Sequence, residues 1–150
     1  MSTNASSFKF DSAERVLAAL AAAAGLIVTV WAWLSVSRDQ AVWPLPGLDL
    51  IEVTALTLLG AWGLWQASDA ASLLAWAASG ALLGFAILDG SSVGLFYLPV
   101  MALLMLGGLW RDRQAWQWLP LHICVVLVAA WAQATIIIIL ARVFAPNALS

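Results

Sequence analysis

The sequence predicts an all-α, polytopic integral membrane protein, a bundle of five transmembrane helices forming a single transmembrane domain over 1–150. Three observations predict it. Of 150 residues, 64% are apolar and only 9% charged, against roughly 45–50% and 25% in a soluble globular domain. Six basic and eight acidic side chains cannot clothe a soluble fold of this size. Those charges also leave five uncharged windows, at 16–37, 53–68, 70–88, 90–110 and 114–141. About 20 helical residues cross a hydrocarbon core of roughly 30 Å, and the windows are of that order. The runs are apolar on all sides, without the alternation of a membrane β-barrel, and in lipid a helix satisfies its own backbone. This composition excludes a cytosolic enzyme, a nucleic-acid binder and a disulfide-stapled secreted module.

The elements follow in order. Residues 1–11 read as a polar tail, and Asp11 with Glu14 has the spacing of a capping box, starting a first helix over about 12–36. Its apolar stretch, 16–34, is longer than the roughly 7–15 residues of a signal-peptide core, so an uncleaved span is expected. The connection 37–48 holds Pro44 and Pro46, which bar a continuous helix, and Trp43, suited to the headgroup level. Asp49 and Glu52 repeat the capping-box spacing at the start of a helix over 50–67. This is the shortest run, and the alternative architecture is four spans plus this one as a non-spanning hydrophobic segment. Ser68 or Asp69 caps a helix over 70–88, Asp89-Gly90 ends it, and Ser91 or Ser92 caps the next, 92–110. Pro99 removes the donor for the carbonyl of Leu95 and should kink that helix. The last helix covers 117–143, ahead of Pro146.

Lys and Arg orient the bundle. With five spans, Lys9, Arg15, Arg111 and Arg113 share one side and Arg38 and Arg142 the other. The positive-inside rule then places the N-terminus in the cytoplasm and the C-terminus outside. Small size and an Ala-, Arg- and Trp-rich composition with one Lys suggest a bacterial inner (plasma) membrane.

Few side chains remain for chemistry. Asp49 and Glu52 lie on one helix face, and with Asp39 and Asp89 on the same membrane side they could form an acidic mouth. His122, the only histidine, follows Pro120, and Gln133 falls on the same stripe eleven residues on, about 20° around the helix. Ala129 lies between them, so a weakly polar face should turn inward while 136–139 meet lipid. A histidine in a span can ligate a haem or hydrogen-bond a quinone, so His122 is the candidate for cofactor binding; packing or an interhelical hydrogen bond is the plainer reading, and no cofactor is expected. With one Cys, Cys124, and one His, no metal site is expected. No nucleophile triad, phosphate loop or metal motif is present, so no catalytic residue and no enzyme activity are expected.

Ten tryptophans suit membrane interfaces, with Trp62, Trp76 and Trp131 lying deeper. Ala21-x-x-x-Gly25 and Gly80-x-x-x-Gly84 are small-residue faces for helix packing. Gly63-Leu64-Trp65 recurs as Gly108-Leu109-Trp110, as an internal duplication of helix pairs, or chance, would produce.

Two functions fit this inventory. One is a structural or accessory subunit whose partners are the bilayer and another membrane protein or itself, joined through the small-residue faces. The other is a small transporter or channel component in which Asp49, Glu52, His122 and Gln133 converge on a route. Neither involves nucleic acid.

Overall fold

A computed structural model describes residues 4–39, 47–66, 68–88, 92–113 and 116–144, with side chains over 13–37, 47–66, 68, 71–88, 93–113 and 117–144. The elements are α1 (Asn4–Asp39), α2 (Gly47–Trp65), α3 (Asp69–Leu88), α4 (Ser92–Leu95), α5 (Leu98–Asp112) and α6 (Leu119–Phe144), with a 3₁₀ turn at Trp116–Trp118. No strand occurs among the described residues. Five stretches are long and apolar enough to cross a membrane: Ala13–Ser37, Gly47–Trp65, Ala71–Leu88, Val93–Asp112 and Leu119–Phe144. The segment that separates the five-span from the four-span reading is a continuous helix of 19 residues.

Three local expectations are corrected. First, α1 begins at Asn4, so 4–11 are helical and not a tail. No Gly or Pro interrupts the chain before Gly25, so nothing delays the helix to Asp11. Asp11 therefore sits inside a helix and caps no start, while Glu14 reaches Arg111 at 3.7 Å. Second, α2 begins at Gly47, which puts Asp49 within the first turn. There its charge favours the positive helix end directly, as a first-turn acid rather than a cap. Third, Pro99 breaks its helix instead of kinking it. α4 stops at Leu95, Phe96 and Tyr97 donate to the carbonyls of Val93 and Gly94 three residues back, and Met101 resumes the α pattern onto Tyr97. Pro99 thus occupies the first turn of a new helix, where its missing N–H costs nothing. Ser68 behaves as expected, its Oγ accepting from the amide of Ala71 at 3.2 Å. The features at Trp43, Pro44, Pro46, Asp89, Gly90, Ser91 and Pro146 lie outside the described residues, as do the side chains of Lys9, Arg38, Asp39, Asp69, Ser92 and Trp116.

Four spans form a square, with α2 and α5 each packed against both α1 and α3. Close approaches give the directions. Gly25 meets Thr57 while Thr29 meets Thr54, so α1 and α2 are antiparallel. Gly63 meets Ala71 while Gly60 meets Ala78, so α2 and α3 are too. The core between them holds Val53, Leu64, Leu82, Tyr97, Val100 and Leu104.

The fifth span stands outside the square. α6 packs extensively on α3 alone among the long helices. The two run parallel: Trp76 faces His122, Gly80 faces Val126 and Gly84 faces Ala130. A Cβ at Gly80 would lie 2.2 Å from the carbonyl oxygen of Val126, so the two backbones touch. Lipid tails give no hydrophobic drive to join helices, and such close backbone contact is what remains to hold them.

The tripeptide repeat is not mirrored in the packing. α2 and α3 form a tight hairpin, whereas α5 and α6 share no such seam among the described residues.

Candidate functional site

At two levels of the bundle, polar side chains of different spans meet. At one end, which carries Arg15, Arg111 and Arg113, Trp76 Nε1 donates to Asp112 Oδ2 at 2.8 Å. The same carboxylate oxygen lies 2.9 Å from His122 Nδ1. That approach is out of line with a ring N–H, so it is a close contact and not an aligned hydrogen bond. The imidazole also stacks on the indole, with centroids 5.3 Å apart and planes 13° apart. Trp76 and His122 are buried, and Gly108 leaves room for the indole on α5. One carboxylate at the end of α5 therefore joins α3 to α6.

Around this contact Arg111 and Arg15 link the remaining spans. Arg111 Nη1 donates to the carbonyl of Gln66 at 2.6 Å, closing the end of α2, and reaches Glu14 on α1. Arg15 lies over the ring of Trp65 at 5.7 Å, and Arg113 over Trp110 at 4.8 Å.

The second level lies toward the opposite end and consists of hydroxyls. Thr29 Oγ1 is 2.9 Å from Thr54 Oγ1 and 2.8 Å from the Tyr97 hydroxyl. Thr54 donates to the carbonyl of Leu50 at 2.6 Å. Each hydroxyl has one proton, so a single direction satisfies all three: Tyr97 to Thr29, Thr29 to Thr54, Thr54 to Leu50. The carbonyl of Gly25, 2.9 Å from Thr29, competes for the middle proton. The break at 96–97 makes this possible, because it turns Tyr97 into the core, edge-on to Phe85 at 5.8 Å.

The residues expected from sequence separate. His122 joins the first level. Asp49 and Glu52 lie at the start of α2, beyond Thr54 and so at the end of the bundle away from His122. Gln133 turns inward like His122 but lies three helical turns along α6, buried, with Nε2 unpartnered among the described residues. Ala21, Gly25, Gly80 and Gly84 are all buried within the chain. Of the three deep tryptophans only Trp76 is inside; Trp62 and Trp131 are exposed. Cys124 also faces outward.

Asp112, Tyr97 and Thr29 had weaker signals. In the sequence Asp112 is flanked by Arg111 and Arg113, and a threonine in a span ordinarily bonds back to its own helix, as Thr29 and Thr54 also do. Only the pairing of α3 with α6 and the break before Pro99 reveal their partners. No group of three His, Cys, Asp or Glu side chains that could hold a metal assembles among the described residues. One face of the His122 ring is covered by Trp76.

This arrangement defines a multi-pass helical membrane protein whose intramembrane polar groups cross-link helices at two depths. No family model, curated protein or solved structure matches the chain.

Proposed function

We propose that the chain is a non-enzymatic structural or accessory subunit of a bacterial plasma membrane, with its N-terminus in the cytoplasm. The observation that carries this reading is how the intramembrane polar side chains are used. Asp112, Trp76 and His122 close on one another, as do Thr29, Thr54 and Tyr97. Contacts of this kind between polar groups on different helices hold a scaffold together. A transport route would need Asp49, Glu52, His122 and Gln133 around one passage, and their separation along the bundle lends that reading no support. The small-residue faces are occupied within the chain, so a partner would meet the larger apolar side chains outside it.

The test is gentle solubilisation of native membranes followed by affinity isolation and mass spectrometry. A stoichiometric membrane partner, or a discrete self-assembly, supports the reading. An ion or solute flux in liposomes that Glu52→Gln or His122→Phe abolishes would replace it with the transporter.

A further inference from the structure

We propose that the seam between α1 and α2 is a binding site for an anionic phospholipid, with one acyl chain lying in the seam and the phosphate meeting Arg15. The seam is hollow because α1 presents methyl groups there. Ala18, Ala19 and Ala22 face Leu58, Ala61 and Trp62 across a groove of about 390 Å³, ending at Trp65. A second groove, of about 280 Å³, continues from Leu58 toward Leu50 and Trp33. Leu58 lies near the middle of α2, so each groove occupies roughly one leaflet. From Leu58 to Trp65 the helix rises about 10 Å, within the roughly 15 Å half-thickness of a hydrocarbon core. The fifth helix packs on α3 and leaves this seam uncovered, and Trp62 and Trp65 stand exposed along it.

Charge selects the occupant. Arg15 sits one turn before Ala18 and Ala19, with its guanidinium 5.7 Å from the centroid of the Trp65 ring that ends the groove. Its neighbour Glu14 is engaged with Arg111 at 3.7 Å, and Arg15 has no carboxylate partner among the described residues. A guanidinium laid on an indole keeps its N–H edges free, and those edges match phosphate oxygens. The apolar groove with a cation at its mouth therefore complements a lipid bearing net negative charge. A zwitterionic headgroup would bring its own ammonium to the arginine.

The test is native mass spectrometry of the purified chain with phosphatidylglycerol and phosphatidylethanolamine of identical acyl chains. One equivalent of phosphatidylglycerol should be retained about fivefold over phosphatidylethanolamine, the contribution of one basic side chain near a membrane surface. Arg15→Ala should abolish the preference. Ala19→Trp, at an exposed position, should fill the groove and lower retention of both lipids while leaving the thermal midpoint in place. Ala19→Trp decides the matter if Arg15→Ala does not fold. Inorganic phosphate at millimolar concentration should not displace the lipid; full displacement would make this a phosphate site and overturn the acyl assignment. Equal retention of the two lipids, indifference to either folded variant, or a lipid-free dimer sealed across the seam would each overturn the proposal.

Discussion

Replacing Gly80 with alanine should undock α6. The added Cβ would sit 2.2 Å from the carbonyl oxygen of Val126 and 2.8 Å from its Cα. Both are backbone atoms, so no side-chain rotation relieves the clash. Restoring ordinary contact, roughly 3.5 Å, moves α6 back by about 1 Å, and a gap of that size forfeits about a quarter to a half of the dispersion attraction along the seam. Overpacking of this kind costs about 1–3 kcal/mol, against which alanine recovers up to about 1 kcal/mol of helix propensity. The expected net loss is about 1 kcal/mol, read as an apparent unfolding free energy by SDS titration in mixed micelles. Gly107→Ala is the control: the nearest atoms its Cβ would meet belong to the Leu64 side chain, Cδ1 at 2.5 Å, Cδ2 at 3.0 Å and Cγ at 3.3 Å, and a side chain can shift where a backbone cannot. It should cost less than Gly80→Ala, because a side chain and not a backbone has to give. Equal effects of the two substitutions would refute the claim that backbone contact holds α6.

Three further outcomes follow from the same geometry. Asp112→Ala strips the acceptor from the buried Trp76 indole and should cost about 1–3 kcal/mol, while Asp112→Asn, which keeps an acceptor oxygen, should cost less in the same titration. Tyr97→Phe removes the first donor of the hydroxyl chain and should cost about 0.6–1.7 kcal/mol; a double-mutant cycle with Thr29→Val should show coupling, and additivity would dissolve the chain. In a Cys124→Ala background, Ser68→Cys and Ser37→Cys should be labelled by an impermeant maleimide from opposite sides, with Ser68 cytoplasmic. Labelling of both from one side would contradict the up-and-down order of the spans.

Much of the fold was legible because charge marks helix ends. Five uncharged windows correspond to the five spans, and Ser68 caps where a serine before an apolar run should. The inward stripe of α6 was legible too: His122 and Gln133, placed on one face by helical periodicity, are both buried. The failures share a cause. Asp11-x-x-Glu14 and Asp49-x-x-Glu52 match a capping pattern, but pattern alone cannot say whether a helix has already begun upstream. At Pro99, kink and break remove the same donor, and neighbouring packing decides between them; burial of Tyr97 against Phe85 and Thr29 favours the break. Pairing between helices was not legible at all. Nothing in 76, 80 and 84 announces that they lie against 122, 126 and 130, because parallel register depends on which helices become neighbours.

The two polar levels should respond differently when perturbations are combined, and this separates their roles. In the square, each helix has two packed neighbours, so loss of the Tyr97 hydroxyl loosens a core closed on all sides. α6 has one extended seam, to α3, plus the tether from Asp112 on α5. Gly80→Ala and Asp112→Ala both act on the attachment of that one helix, and a helix already displaced by the first has less to lose from the second. Their combination should fall short of the sum by about 0.5 kcal/mol or more. Tyr97 and Asp112 are 15 residues apart on one stretch of helix, about 22 Å, and share no partner. Tyr97→Phe with Asp112→Ala should therefore add within about 0.5 kcal/mol. Were the pattern reversed, with the first pair additive and the second coupled, α6 would be part of the central core and not a helix held at its edge.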